Sequence, residues 1–262
     1  MTLRCDGVRI VAGSRVLLDQ FDAVFQPSRF TAILGPNGAG KSTLLSLLSG
    51  QRFADRGQVL LDDCELARFD AQALALRRAV MPQESAVAFD FTVREVAELG
   101  RYPHRYQPDP DEAGIVTCAL EATDVAALSH RIFNTLSGGE KARVHLARTL
   151  AQVWAPAPDG GTCWLLLDEP TAALDLAHQH QALGLLQHRA RTQNLGVIAV
   201  LHDLNLALRY ADDVLLLAGD ESAFLGPATQ LLTPECTERV WGVRCTPVHN
   251  RDGVLQYLFE PA

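Results

Sequence analysis

Residues 35–42, Gly-Pro-Asn-Gly-Ala-Gly-Lys-Ser, fit the spacing G-x-x-x-x-G-K-[ST]. Gly35, Gly38 and Gly40 let the backbone turn so that successive N–H groups of the loop Gly35, Pro36, Asn37, Gly38, Ala39, Gly40 face one concavity, and polyphosphate is then held largely by main chain. Lys41 reaches the β- and γ-phosphates of such a ligand, Ser42 ligates Mg²⁺, and Thr43 follows at the start of a helix. The flanks agree. Residues 30–34 form a short apolar run that reads as a buried strand, and Leu44, Leu45, Leu47 and Leu48 begin a helical stripe whose positive end adds to the phosphate site. A glycine-rich turn before a helix would explain the glycines, but neither Lys-Ser nor the strand in front.

A second group of reactive residues stands at the ends of later apolar runs. Residues 163–167, Cys-Trp-Leu-Leu-Leu, end in Asp168-Glu169-Pro170, and two carboxylates closing a buried strand are costly unless they meet a cation or donors. Asp168 suits contact with Mg²⁺, directly or through water, and Glu169 suits orienting or deprotonating a water. Residues 196–201 form the next buried strand and end in His202; residues 79–81 form another that leads to Gln83. Strand, carboxylate pair, helix, strand, histidine is the alternation of a parallel α/β sheet whose ligands gather at the carboxyl edge. Leu136-Ser-Gly-Gly-Glu140 precedes a helix running to about Val153. Ser137 and Glu140 have capping-box spacing, and a serine with Gly138 and Gly139 at a helix N-terminus is also an anion site; the two readings are compatible.

The elements that must position these residues follow in order. Residues 3–34 read as antiparallel strands with a turn at Gly13-Ser14, leading into the phosphate loop. Gly50 suits a helix C-cap, and residues 57–63 give a strand and turn. From about residue 84 to 136 the pattern becomes mainly helical, an inserted subdomain: Thr92 and Glu95 form a capping box, residues 101–110 read as a loop mixing basic and aromatic side chains, and a helix runs from Asp111 to about Thr123. Residues 172–191 form a helix with Asp175 near its start. A helix and strand over 204–218 and helical segments over 227–240 follow, and residues 241–262 carry no chemical motif.

Composition bounds the function. The 262 residues carry a net charge of −8, which argues against a nucleic-acid partner, and 48% hydrophobic with 21% charged residues is ordinary globular composition. The longest apolar stretches fall far short of the roughly 20 residues of a membrane helix, and the N-terminal residues lack the apolar core of a secretory signal, so a cytosolic protein is expected. Six scattered cysteines form no C-x-x-C pair, and His178 and His180 sit two apart in a helix, so no metal site arises from either.

Taken in sequence, residues 35–43, Gln83, the 136–140 stretch, Leu165-Leu-Leu-Asp-Glu169 with Ala173-Leu-Asp175, and His202 resemble the nucleotide-binding subunit of ABC transporters over residues 2–240, with 241–262 as a tail. The resemblance implies an α/β P-loop ATPase with a mixed, mainly parallel core sheet, an N-terminal antiparallel β subdomain and an inserted helical subdomain. It implies ATP and Mg²⁺ as ligands, with Ser42, Gln83 and Asp168 around the cation, Glu169 aligning water, Lys41 and His202 on the γ-phosphate, and Asp175 bridging two subunits. Two copies then pair head to tail, so that Ser137 and Gly139 of one meet ATP on the loop of the other, and the homodimer drives two membrane permease subunits from the cytoplasmic face of the bacterial inner membrane. Ala12 stands where many members carry an adenine-stacking aromatic residue, and Glu140 replaces the common glutamine. Thr92-Val-Arg-Glu-Val, residues 99–104, residues 137–144, 174–180 and 202–211 are similar to the haem importer ATPases of bacteria, which implies a periplasmic haem-binding protein as an indirect partner; importers of iron siderophores and vitamin B12 are the near alternatives. Soluble chromosome-maintenance ATPases share the loop and signature but need a long heptad insertion, absent between Lys41 and Asp168; a non-hydrolysing ATP-binding module is disfavoured by Glu169 together with His202.

Lys41→Ala is expected to lose ATP binding, measured by equilibrium titration with a fluorescent nucleotide; unchanged affinity counts against the phosphate-loop assignment.

Overall fold

The computed structural model describes residues 2–83 and 87–261. Strands β1 (Leu3–Ala12) and β2 (Arg15–Phe25) pair antiparallel around the Gly13-Ser14 turn, from Leu3 opposite Phe25 to Ala12 opposite Arg15. After β3 (Phe30–Leu34) and helix α1 (Lys41–Leu48), strands β4 (Arg56–Leu61) and β5 (Cys64–Glu65) complete a sheet of order β2-β1-β4-β5. The helix ends on Ser49, and Gly50 follows it in the left-handed conformation.

Helix α2 (Ala71–Arg77) runs directly into β6 (Arg78–Met81). With β7 (Cys163–Asp168), β8 (Leu195–Val200), β9 (Asp213–Leu217) and β10 (Ala223–Pro227) it forms the second sheet, order β10-β9-β3-β8-β7-β6 among the described residues. The neighbours β9, β3, β8, β7 and β6 are parallel, and only β10 joins antiparallel. Every residue of β3, β7 and β8 is buried, as a strand between two layers demands. Side chains alternate between the layers. Ile33, Trp164, Leu166, Ile198, Val200 and Leu215 pack towards α1 and the antiparallel sheet, whereas Phe30, Ala32, Leu34, Leu165, Leu167 and Val197 pack towards the later helices.

The segment between β6 and β7 holds α3 (Val93–Glu98), α4 (Glu112–Ala122) and α5 (Gly138–Gln152). Its expected beginning near residue 84 lies outside the described residues. Val93, Val96, Ile115, Leu120 and Phe133 form a core of their own, joined by Val144, Ala147 and Ala151 of α5, while Leu146 and Leu150 of the same helix enter the main core. Spacings of three and four residues put each set on one stripe, so α5 ties the helical subdomain to the sheet. Residues 101–110 are not simply a loop. A 3₁₀ segment, Leu99–His104, buries Arg101 and His104, because Arg101 meets both Glu112 oxygens (2.6 and 2.9 Å) and the Ala151 carbonyl (2.7 Å). These partners offset the desolvation that made an exposed arginine the simpler expectation. Tyr102, Arg105 and Tyr106 stay outside, with the Arg105 guanidinium over both rings.

Past β8, α7 (Leu204–Tyr210) follows the helix α6 (Leu176–Thr192) in the α/β alternation, and α8 (Ala228–Leu231) and α9 (Pro234–Trp241) close the main body. Residues 241–262, expected as a tail, contain an antiparallel hairpin of β11 (Val243–His249) and β12 (Leu255–Pro261). It is anchored by Tyr257, which is 3% exposed and sits in the main core. No helix among the described residues is long and apolar enough to cross a membrane.

Trp164 of β7 lies over Gly196 of β8, where an added Cβ would fall 2.4 Å from the indole ring. Gly196→Ala is therefore expected to cost about 1–3 kcal/mol through overpacking of a closed core, read as a lowered thermal midpoint; a midpoint equal to the parent's would show that the indole has room to move.

Candidate active site

The phosphate loop hangs between the end of β3 and the start of α1, and its glycines take backbone conformations that side chains rarely adopt. Gly35, Gly38 and Gly40 have φ of 152°, 76° and 94°, and a Cβ on Gly35 would lie 2.4 Å from the Leu217 carbonyl oxygen of the adjoining strand. The loop closes on itself through Ala39 N–H to Pro36 O (3.2 Å). Lys41, 7% exposed, folds back along it and donates to the carbonyls of Gly35 (2.9 Å) and Pro36 (3.1 Å). Burial pushes its ammonium below the usual lysine range, with Glu169 and Asp168 pulling the other way. Two donors of three thus brace the loop, and the cation stands at its mouth.

The parallel register carries the acidic residues to the same edge. Asp168 pairs with Val200 and Leu167 with both Ala199 and Met81, so Gln83, Glu169 and His202 all emerge just past neighbouring strand ends. Ser42 Oγ donates to Asp168 Oδ1 at 3.1 Å. Glu169, at φ +51°, holds a left-handed conformation uncommon for a non-glycine residue, and there it accepts from Gln83 Nε2 at 2.9 Å and stands 2.6 Å from His202 Nε2. The structure thus brings Lys41, Ser42, Gln83, Asp168, Glu169 and His202 into one cluster. Hydroxyl, carboxylate and amide oxygens are the hard donors that Mg²⁺ takes alongside substrate phosphates, so this set fits the cation. Among the described residues no group of three or more His, Cys, Asp or Glu is placed to hold a metal ion by itself.

Asp168 is raised above the usual carboxylate range, first by burial and further by the Glu169 charge, with the Ser42 hydrogen bond opposing. The folded state therefore holds this proton more tightly than the unfolded chain does. Stability from Asp168 is present at low pH and is lost as pH rises through the raised value, so the carboxylate once charged is a liability to the fold.

The signature stretch lies elsewhere. Ser137 caps α5 in a complete capping box: its N–H and Oγ donate to Glu140 Oε2 (2.7 and 2.8 Å), and Glu140 N–H returns to Ser137 Oγ (3.4 Å). A Cβ on Gly139 would stand 3.1 Å from the Ala173 carbonyl, so Gly139 lies beside the turn that leads into α6. No hydrogen bond among the described residues joins 137–140 to 35–43. Asp175 caps α6, accepting from His178 N–H (2.9 Å), and thus precedes the helix expected to contain it.

A model of the family described as ABC transporter matches residues 18–172. The chain is 48% identical over 241 residues to the hemin import ATP-binding protein HmuV of Pseudomonas fluorescens Pf-5, covering 92% of each. The chain belongs to the ABC transporter family. It is 46% identical over 248 residues to the hemin import ATP-binding protein HmuV of Myxococcus xanthus DK1622, covering 93% of this chain and 91% of that one. Among solved structures, a metal-chelate type ABC transporter in an inward-facing conformation superposes with a TM-score of 0.79 at 25% identity, over 100% of this chain and 97% of that one. A nucleotide-free ATP-binding cassette shares the fold, with a TM-score of 0.73 at 20% identity over 91% and 98%. The α/β P-loop fold expected from the motifs is thus the fold observed, and as an ATP-binding subunit of this family the chain is an ATPase coupled to transport.

One contact escaped sequence reasoning. His178 Nδ1 lies 2.8 Å from Asp175 Oδ1 and its Nε2 3.5 Å from Asp124 Oδ2, which Arg143 of α5 also binds at 3.0 Å. This chain of partners joins the cap of α6 to the helical subdomain. A histidine at the third helical position after an Asp cap was the available signal, but Asp124 is distant in sequence. Ala12 closes the β1–β2 turn opposite Arg15 and is exposed, so it offers no aromatic face.

Two outcomes follow from the geometry. Glu169→Gln is expected to bind ATP and turn over at least about 10²-fold more slowly, measured by phosphate release; full activity removes Glu169 from its role. Asp168→Asn is expected to melt above the parent protein without nucleotide at pH 7 and to lose Mg²⁺-dependent ATP hydrolysis, with both readouts taken on one preparation.

Proposed function

We propose that this chain is the ATP-hydrolysing subunit of an ABC importer of haem. The observation that carries the cargo is the likeness, at 42–48% identity over more than nine-tenths of the chain, to relatives named for hemin import. The likeness to a metal-chelate type transporter agrees with a chelated metal as cargo. A siderophore or vitamin B12 complex is the alternative within that class, because no residue of the cluster around Glu169 recognises a cargo.

The residues act in a single reaction. Main-chain N–H groups of 35–40 and the N-terminus of α1 hold the phosphates, and Lys41 neutralises charge on the β- and γ-phosphates. Ser42, Gln83 and Asp168 hold Mg²⁺, which when bound supplies electrostatic neutralisation of the developing phosphoryl charge. Glu169 orients the attacking water and accepts its proton; His202, hydrogen-bonded to Glu169, fixes the carboxylate and reaches the γ-phosphate. Ser137, Gly138 and Gly139 complete the site on a second copy, and Asp175 lies at that junction. No hydrogen bond among the described residues joins them to the loop of their own chain, and a helix N-terminus suits an anion brought by a partner. Closure of the homodimer on ATP then moves two membrane permease subunits, with this subunit peripheral on the cytoplasmic face of the inner membrane.

The test is ATPase activity of the subunit reconstituted in liposomes with the permease encoded beside it, comparing haem-loaded binding protein, siderophore-loaded binding protein and no addition. Stimulation by the haem-loaded protein alone is expected. Stimulation by the siderophore-loaded protein instead overturns the cargo and leaves the ATPase chemistry standing; no turnover in any arm overturns the hydrolytic reading.

A further inference from the structure

Helix α7 begins two residues after the histidine that faces Glu169, and its first turn is held from two sides. Asp203 accepts from the N–H groups of Asn205 (2.7 Å) and Leu206 (3.0 Å), a cap that fixes the direction of the chain immediately beyond His202. Asn205 then reaches in the other direction to β12. Its Nδ2 donates to Tyr257 O at 3.0 Å and its Oδ1 accepts from Tyr257 N at 2.7 Å. One side-chain amide thus satisfies both main-chain groups of one strand residue, as a neighbouring strand would. Gln256 Nε2 adds a bond to Asn205 O at 3.3 Å.

The far end of this connection is rigid. Tyr257 is buried in the main core, and its hydroxyl donates to Leu232 O at 2.6 Å. A two-stranded hairpin is marginal on its own in water, so its order here comes from such anchors. The hairpin contributes no hydrogen bond, among the described residues, to the phosphate loop, Gln83, Asp168 or Glu169. Its connection to the site runs through Asn205 and the three-residue path back to His202.

We infer that Asn205 is a positioning residue for His202: by clamping the first turn of α7 to Tyr257 it holds the imidazole at hydrogen-bonding distance from Glu169, so the C-terminal hairpin sets the geometry of the hydrolytic pair. The inference rests on the proposed roles of Glu169 and His202. The requirement is steep, because His202 Nε2 meets Glu169 at 2.6 Å and its side chain is otherwise half exposed, leaving few contacts to hold it. Phosphate binding is assigned to residues 35–43, which make no hydrogen bond among the described residues to α7 or to the hairpin, so nucleotide affinity is expected to be independent of this clamp.

The experiment compares the full chain with Asn205→Ala and Asn205→Asp, measuring kcat and KM for Mg-ATP, ATP affinity by equilibrium titration, and the thermal midpoint. Asn205→Ala is expected to lower kcat roughly tenfold or more, as a small misplacement of a reacting group does, while KM and ATP affinity stay within about twofold. Asn205→Asp keeps the shape and the acceptor for Tyr257 N–H but sets a carboxylate against the Tyr257 carbonyl, so it shifts kcat in the same direction and decides the matter if the alanine variant is insoluble. A kcat within about twofold of the parent, or ATP affinity falling in step with kcat, overturns the inference. His202→Ala run alongside separates the failures: if it keeps full turnover, the reading of the site fails; if it is inactive while Asn205→Ala is fully active, only the role of Asn205 fails.

Discussion

The rest of the structure depends on gathering like charges at one edge of a buried sheet. Asp168 and Glu169 end a strand whose six residues are all buried, and water cannot stabilise them there as it would on a surface. Each carboxylate is accommodated differently. Asp168 takes one hydroxyl donor from Ser42 and remains raised above the ordinary carboxylate range, whereas Glu169 leaves the strand in a left-handed conformation and meets Gln83 and His202. Lys41 supplies the nearby positive charge, yet its donors are directed at the carbonyls of its own loop. The edge thus sets a buried carboxylate and a lysine side by side, an arrangement that the proposed binding of phosphates at the lysine and a hard cation at the aspartate would complete.

Everything around this edge serves to keep it fixed. The antiparallel sheet and α1 cover one face of the parallel strands and the later helices the other, so the strand ends cannot shift without opening one of two closed cores. The helical subdomain has a core of its own and shares α5 with the main body, and α5 is also the helix capped by Ser137. A displacement of that subdomain therefore carries the Ser137 cap with it as a unit. The His178–Asp124–Arg143 contacts run from the start of α6 to the same helix, and because their shared partner Asp124 is 75% exposed they contribute little to stability.

Fold recognition and site recognition drew on different parts of the chain. The loop from Gly35 to Thr43 identified itself, because its glycines, lysine and serine are adjacent in sequence and each has a local reason to be there. Glu169 and His202 were legible as strand ends, since a fully apolar run stopped by a charged or polar residue marks the edge of a buried sheet. The 99–104 segment was harder. Arg101 becomes buried only because Glu112 and the Ala151 carbonyl arrive from other helices, and nothing within ten residues announces a partner 50 positions away. The hairpin at 243–261 carries a local signal that the sequence reading passed over, Asp252-Gly253 in its turn, but its anchor, Tyr257, is defined by the surface of α7 against which it packs.

What the sequence determined by itself was therefore local and periodic: the phosphate loop, the capping boxes at Thr92 and Ser137, the buried strands and the class of fold. Those features rest on interactions within a few residues or on alternation along one strand, and both are written in residue order. Tertiary structure alone decided which strand ends become neighbours, that Glu169 turns to face His202 and Gln83, and that Asn205 reaches Tyr257 some 52 residues onward. Those contacts depend on sheet order and on helices packing across it. Such pairings arise from the closure of a shared core, and no window of sequence contains both partners.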